Sequence, residues 1–160
     1  MQIAVFPGSF DPVTNGHIDM FERASKMFKV LVVAVFHNPN KKPLFTMDER
    51  VDMLKVATRH IPNVRVDGFS GLLNQYVRQQ GAYTIVRGLR ANDFEYEFQR
   101  AQLGKRIDAE IETVFMMASS EYSFVSSSGV KELAAFGGCI SGLVPNVVED
   151  KFLMDIVKFK

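Results

Sequence analysis

The sequence predicts an α/β protein built on a doubly wound, five-stranded parallel sheet, and two observations predict it. Five short apolar runs rich in β-branched residues recur along the chain: Ile3–Phe6, Val30–Phe36, Val64–Val66, Thr84–Val86 and Thr113–Met117. They are continuous, without period-2 alternation, as strands buried on both faces are. Between them lie segments with helical spacing, and strand–helix alternation of this kind implies right-handed crossovers in a parallel sheet.

The helices follow in order. Ile18, Phe21, Ala24 and Phe28 form one apolar stripe, in a helix capped at Thr14 or Asn15. Val51, Leu54 and Ala57 form a second stripe, and the capping box Thr46-Met47-Asp48-Glu49 sets its start. A third helix follows Ser70, carries Leu72, Leu73, Tyr76 and Val77, and stops at Gly81. A fourth begins near Asn92 with Glu95 three residues on, and a fifth follows the serine run at 126–128. The last starts after Pro145 and covers about 146–158, with Phe152, Leu153, Ile156 and Phe159 facing inward. It is expected to pack on the rest of a single domain spanning 1–160, because no linker, repeat or low-complexity segment interrupts the chain.

Composition narrows the function classes. A chain of 160 residues with 47% hydrophobic and 23% charged residues is globular and long enough to bury a core. Net charge of +1 argues against a general nucleic-acid binder, so basic work falls to local clusters. The lone Cys139 cannot pair within the chain, which suits a reducing, cytoplasmic setting. No signal peptide is visible at residues 1–6, and the longest apolar run, Val30–Phe36, is too short to span a bilayer. No membrane and no nucleic-acid partner is expected.

In a doubly wound sheet, ligands bind beyond the carboxyl ends of the strands, where the winding reverses. That rule selects Pro7–His17, His37–Phe45, Phe69–Leu73, Arg87–Asn92 and Tyr122–Ser128. The first leaves strand one, turns through Gly8 and Pro12, and enters a helix whose first N–H groups and dipole favour an anion. His17 can add an N–H, neutral or cationic, to the same anion, and Ser9 adds a hydroxyl from the facing loop. Gly16 keeps bulk off the first turn. Lys41 and Lys42 follow strand two, where a mobile ammonium holds phosphate as a point charge. Arg87 and Arg90 follow strand four, expected beside strand one; they can grip phosphates bidentately or bond Asp93, Glu95 and Glu97 of the next helix. Three serines at 126–128 exceed what one N-cap needs and form another anion cradle. Leu72 and Leu73 read first as core. His37 and His60 have no partner at ligand spacing, the methionines fall at core positions, and Cys139 lies outside every motif.

The run Gly8-Ser9-Phe10-Asp11-Pro12-Val13-Thr14-Asn15-Gly16-His17 resembles the signature of the nucleotidyltransferases, usually His-x-Gly-His. With Thr14 in place of the first His, it resembles the phosphopantetheine adenylyltransferase family. The likeness continues through Asn40–Phe45, Gly68–Ser70, Arg87–Arg90 and Asp93–Glu97, and ends at Glu121–Ser128. After Arg90 the segment is one residue shorter than the family pattern. The resemblance implies a Rossmann-like nucleotidyltransferase fold that moves AMP from ATP to 4′-phosphopantetheine, giving dephospho-coenzyme A and pyrophosphate. It implies His17, Lys41 and Arg90 as catalytic. It places ATP against Ser9, Phe10, His17, Gly88, Leu89, Arg90 and Glu97, and against Tyr122, Ser123, Phe124, Val125, Ser126, Ser127 and Ser128, with Lys131 completing that motif. The acceptor falls to Ser9, Lys41, Leu73 and Arg87. It further implies a homo-hexamer and coenzyme A as feedback inhibitor.

The mechanism expected is direct in-line attack of the phosphomonoester on the α-phosphorus. An acceptor with a second pKa near ~6 is already mostly a dianion at neutral pH and needs no general base. No metal cage of protein ligands is evident, so Mg²⁺ is expected to arrive with ATP. Three other readings rank behind: a sister adenylyl- or cytidylyltransferase, a non-catalytic nucleotide sensor, and an RNA-binding domain. No Gly-x-Gly-x-x-Gly, P-loop or His-Glu-x-x-His motif is present.

Overall fold

The computed structural model describes residues 2–155. Five parallel strands form one sheet, β1 (Ile3–Gly8), β2 (Val30–His37), β3 (Val64–Ser70), β4 (Thr84–Leu89) and β5 (Glu112–Met117), in the order β3-β2-β1-β4-β5. The chain winds outward from β1 to β3, then returns past β1 to lay down β4 and β5. The reversal lies between β1 and β4, as the sequence predicts, so the loops after these two strands face each other.

Alternate residues of β1 feed opposite faces of the sheet. Ala4 and Phe6 join one core with Phe21, Val33, Leu54 and Phe152, while Val5 joins the other with Val32, Val77 and Ile85. Four strands extend beyond their apolar runs at the carboxyl end, because backbone pairing continues where side-chain pattern stops; Pro7 and Gly8 still pair with Ala34 and Val35. The outer strand β3 departs from the expected continuous burial. Its Arg65 and Asp67 are exposed between half-buried neighbours, since an edge strand has only one fully covered face.

Helix α1 (Asn15–Ser25) is capped by Thr14, and α2 (Met47–Ala57) has both halves of the Thr46/Glu49 capping box. Phe21 and Ala24 of the first stripe are buried, with Ile18 and Phe28 packed against them. Helix α3 (Leu73–Gln79) starts one residue later than the predicted stripe. Leu72 stands outside it and is exposed, so it is not core. Gly71 and Gly81, both in the left-handed region, punctuate its two ends. A 3₁₀ turn over Ala91–Asp93 leads into α4 (Phe94–Ile107), and α5 (Ser127–Ala135) begins inside the serine run.

Helix α6 (Asn146–Asp155) packs against α2: Phe152 meets Phe45 edge-on at 5.3 Å between ring centres, and Lys151 pairs with Glu49 at 3.0 Å. Leu153 is exposed instead of inward, being one helical step of about 100° from the buried Phe152. Ile156, Phe159 and the predicted stretch 156–158 lie outside the described residues. The methionines divide: Met20 and Met53 are core, whereas Met27, Met117 and Met154 are exposed. Among the described residues no helix is long and apolar enough to cross a membrane.

Candidate active site

A cavity of about 320 Å³ opens where the β1 and β4 loops face each other. Its centre is His17. The backbone N–H of Thr14 donates to His17 Nδ1 at 3.0 Å, and the Thr14 hydroxyl oxygen accepts from the backbone N–H of His17 at 3.3 Å. This reciprocal cap settles the tautomer: Nδ1 is an acceptor, so the proton sits on Nε2. Burial, and then the positive charge of Arg90, lower the His17 pKa to about 4. Of the two protonation states left open by the sequence, the ring is therefore neutral at physiological pH and offers one N–H donor. The Phe10 ring stands edge-on to the imidazole at 5.0 Å and helps fix its plane. Phe10 itself has φ of 45°, a conformation costly for a residue with a side chain, and it is held there with its ring buried.

The start of α1 is less open to an anion than its sequence suggests. The Asn15 N–H donates to Leu143 O at 2.8 Å and the His17 N–H turns back to Thr14, so the Gly16 N–H is the one left at the helix tip. Gly16 permits a close approach: a Cβ there would come within 3.3 Å of Tyr122 Cβ, which would have to shift slightly. Tyr122 thereby brings the loop before α5 against the start of α1.

Arg87, within β4, and Arg90, just after it, both have carboxylate partners. Arg87 pairs with Glu97 in a half-buried ion pair, and Arg90 Nε pairs with Asp93 at 2.7 Å while its Nη1 donates to Val125 O at 3.2 Å. Of the two sequence options the structure shows the carboxylate pairing, with Asp93 and Glu97, and both arginines also line the cavity with Gly88 and Leu89. Glu97, expected at ATP, is engaged by Arg87.

The serine run divides its work. Ser126 is the α5 N-cap and accepts from Gly129 N at 3.0 Å; Ser127 donates to Pro12 O at 2.7 Å; Ser128 keeps an uncommitted hydroxyl. Two of the three serines therefore serve the fold as well as lining the cavity with Tyr122 and Val125. Ser123 and Phe124 stand outside the lining: Ser123 donates to Ser120 O, and Phe124 is 73% exposed.

Two hollows adjoin the cavity. One of about 200 Å³ shares Ser9, Ser127 and Ser128 with it and holds Lys41, Lys42 and Lys131. The other, about 180 Å³, shares Arg87 and contains Leu73. The expected acceptor residues Lys41 and Leu73 thus lie in the two adjoining hollows instead of lining the central cavity. Lys131 is paired with Asp11 at 3.1 Å.

A family model described as cytidylyltransferase-like matches residues 5–133. A phosphopantetheine adenylyltransferase of Heliobacterium modesticaldum is 59% identical over 92% of this chain and 89% of its own. One of Desulforudis audaxviator is 54% identical over 96% of this chain and 98% of its own. The chain belongs to the phosphopantetheine adenylyltransferase family. In this member of the family, Thr14 caps the helix and orients the motif histidine at once. Among solved structures, the nicotinic acid mononucleotide adenylyltransferase of Plasmodium falciparum, complexed with NaAD, superposes with TM-score 0.70 over 99% of this chain and 98% of its own. At 15% identity that likeness is one of fold alone. A nicotinate-nucleotide adenylyltransferase of Vibrio parahaemolyticus, so described, gives 0.64 at 21% identity.

Two site residues carried too weak a signal to be singled out. Asp11 and Arg50 are both buried and tie the cavity loops together, Arg50 Nη1 donating to Ser9 O at 2.8 Å. Arg50 sits in the charged first turns of an amphipathic helix, where an arginine reads as solvated. Asp11 stands within the signature run Gly8–His17, where the sequence gives it no role of its own.

Proposed function

We propose that this chain transfers the adenylyl group of ATP to 4′-phosphopantetheine, releasing dephospho-coenzyme A and pyrophosphate. Family membership at 59% identity supports the substrates. The observation that carries the chemistry is the neutral His17, held by Thr14 with its Nε2–H available to the cavity.

The acceptor phosphate, already a dianion, attacks the α-phosphorus; the new P–O bond forms as the bond to the pyrophosphate oxygen breaks, and that oxygen leaves with the electron pair. His17 donates to the α-phosphate oxygens as charge builds there, and Arg90 supports the same charge from the β4 side. Lys41, Ser9 and Arg87 hold the acceptor, while Leu73 touches its apolar arm. Gly88, Leu89 and Arg90, with Phe10, Tyr122 and Val125, receive the nucleotide. Ser126, Ser127 and Ser128 face the leaving pyrophosphate.

Mg²⁺ fits as a companion of the nucleotide. The cavity carboxylates Asp93 and Glu97 are paired with arginines, and no cluster of three His, Cys, Asp or Glu stands together among the described residues. Bound mainly by ATP phosphates and water, the ion would supply charge neutralisation on the triphosphate.

The exposed, free Cys139 suits a cytoplasmic setting. Exposed apolar side chains, among them Leu103, Met117 and Phe136, favour self-association; the family resemblance implies a homo-hexamer with coenzyme A as inhibitor, and both are proposed on that ground. The substrate assignment is tested by pyrophosphate release from ATP and Mg²⁺ with 4′-phosphopantetheine or nicotinamide mononucleotide as acceptor. Release with the first alone is expected; release with the mononucleotide alone would transfer the chain to the sister activity.

A further inference from the structure

Asp11 lies between Ser9 and Thr14, the two ends of the nucleotide turn, yet its carboxylate faces the hollow that holds Lys41. It is only 6% exposed. Oδ1 accepts from the Phe45 N–H at 2.9 Å and Oδ2 from the Leu44 N–H at 2.9 Å. Oδ2 also accepts from Lys131 Nζ of α5 at 3.1 Å.

All three partners are donors, so the site requires an acceptor-only group, which is what an ionised carboxylate is and an amide is not. The side chain thereby joins three separate segments: the β1–α1 turn bearing Ser9 and His17, the β2–α2 loop bearing Lys41, and the α5 start bearing Ser127 and Ser128. Neighbouring bonds run the same way. Ser127 donates to Pro12 O, and Arg50 donates to both Ser9 O and Phe45 O. Leu44 is three residues from Lys41, a tether of about 10 Å at most. Anchoring Leu44 and Phe45 therefore limits where the Lys41 ammonium can reach, although Lys41 itself is exposed.

We infer that Asp11 is a positioning residue that holds the Lys41 loop against the His17 turn, so that the acceptor phosphate meets the nucleotide in line. The inference rests on the adenylyl transfer proposed above. Lys131, in the same arrangement, serves the Lys41 loop through Asp11.

The test is a double-mutant cycle of Asp11→Asn and Lys41→Ala, read as kcat and KM for 4′-phosphopantetheine with ATP affinity by titration calorimetry. Asp11→Asn is expected to lower kcat by about 100-fold, as small misplacements of a reacting group do. ATP affinity should change by less than about threefold, and in the Lys41→Ala background the same substitution should cost less than about threefold, because interacting sites are not additive. An equal cost in both backgrounds would overturn the inference, since a general structural defect acts whether or not Lys41 is present. Should Asp11→Asn fail to fold, Lys131→Met enters the same cycle with the same two outcomes.

Absence of turnover in the unaltered chain would defeat the proposed activity and, with it, this role. Amide hydrogen exchange at Leu44 and Phe45 then reads the clamp by itself. Slower exchange than at Lys42 upholds the tether, and equal exchange removes it.

Discussion

At the level of single residues, the proposed function turns on how His17 is held. A histidine at a helix start would ordinarily titrate near 6.5, but here burial and Arg90 bring its pKa to about 4. The sign follows from proton counting. Between these two values the unfolded chain binds more protons at this site than the folded one, so the contribution to stability is complete above about 6.5 and fades as pH falls towards 4. Relative to His17→Asn, the unaltered protein should lose roughly 2–3 kcal/mol between pH 7 and pH 4; a difference that stays flat in parallel urea titrations would contradict this. Nitrogen NMR of the ring should show a neutral Nε2–H form down to about pH 5, and a titration near 6.5 would disprove it. The sequence placed His17 at the site because Gly8, Ser9, Thr14 and Gly16 surround it. It left the charge state open, because the protonation of an imidazole depends on burial and on a guanidinium distant in the chain. Asp11 and Arg50 stayed hidden for a similar reason: each acts on backbone groups, and backbone partners leave no residue pattern.

Among the elements, strand runs and capping boxes were legible because they are local. Thr46 and Glu49 form the box that their spacing suggests, and β4 lies beside β1 as expected of a doubly wound sheet. Less legible were features set by neighbours. Leu72 and Leu153 are apolar yet exposed, because a sequence stripe does not say where a helix begins or which way a short one is turned. Helix α6 docks on α2 through Phe152, Phe45 and the Lys151–Glu49 pair. Burial pulls the Arg50 pKa down against the attraction of Asp11, so this element also carries a buried charge that must keep its partners. Phe152→Ala should cost about 3–5 kcal/mol of stability in chemical denaturation. Its ATP affinity should stay within about threefold, since Phe152 lies outside the cavity lining. A destabilisation below about 1 kcal/mol would mean that α6 is not part of the cooperative fold. Gly16→Leu should have the opposite profile, weakening ATP binding by pressing on Tyr122, and unchanged binding in calorimetry would show that Tyr122 yields freely.

For the whole molecule, the sheet brings to one reversal point groups that are more than a hundred residues apart, from Ser9 to Ser128. This placement was readable from the order of strands and loops. The flanking positions of Lys41 and Leu73 were not, because depth along a cavity depends on loop paths that no periodicity records. The exposed apolar surface belongs to the same scale: light scattering should give about six chain masses, and a monomer at micromolar concentration would contradict the assembly proposed. The proposed adenylyl transfer runs through a neutral His17 donor. The measurement that tests it most directly is pyrophosphate release from ATP with 4′-phosphopantetheine, comparing the unaltered chain with His17→Ala after calorimetry has shown that both bind ATP. Loss of about 100- to 1,000-fold in kcat, with ATP affinity retained, is the expected result. Near-normal release by His17→Ala would contradict it.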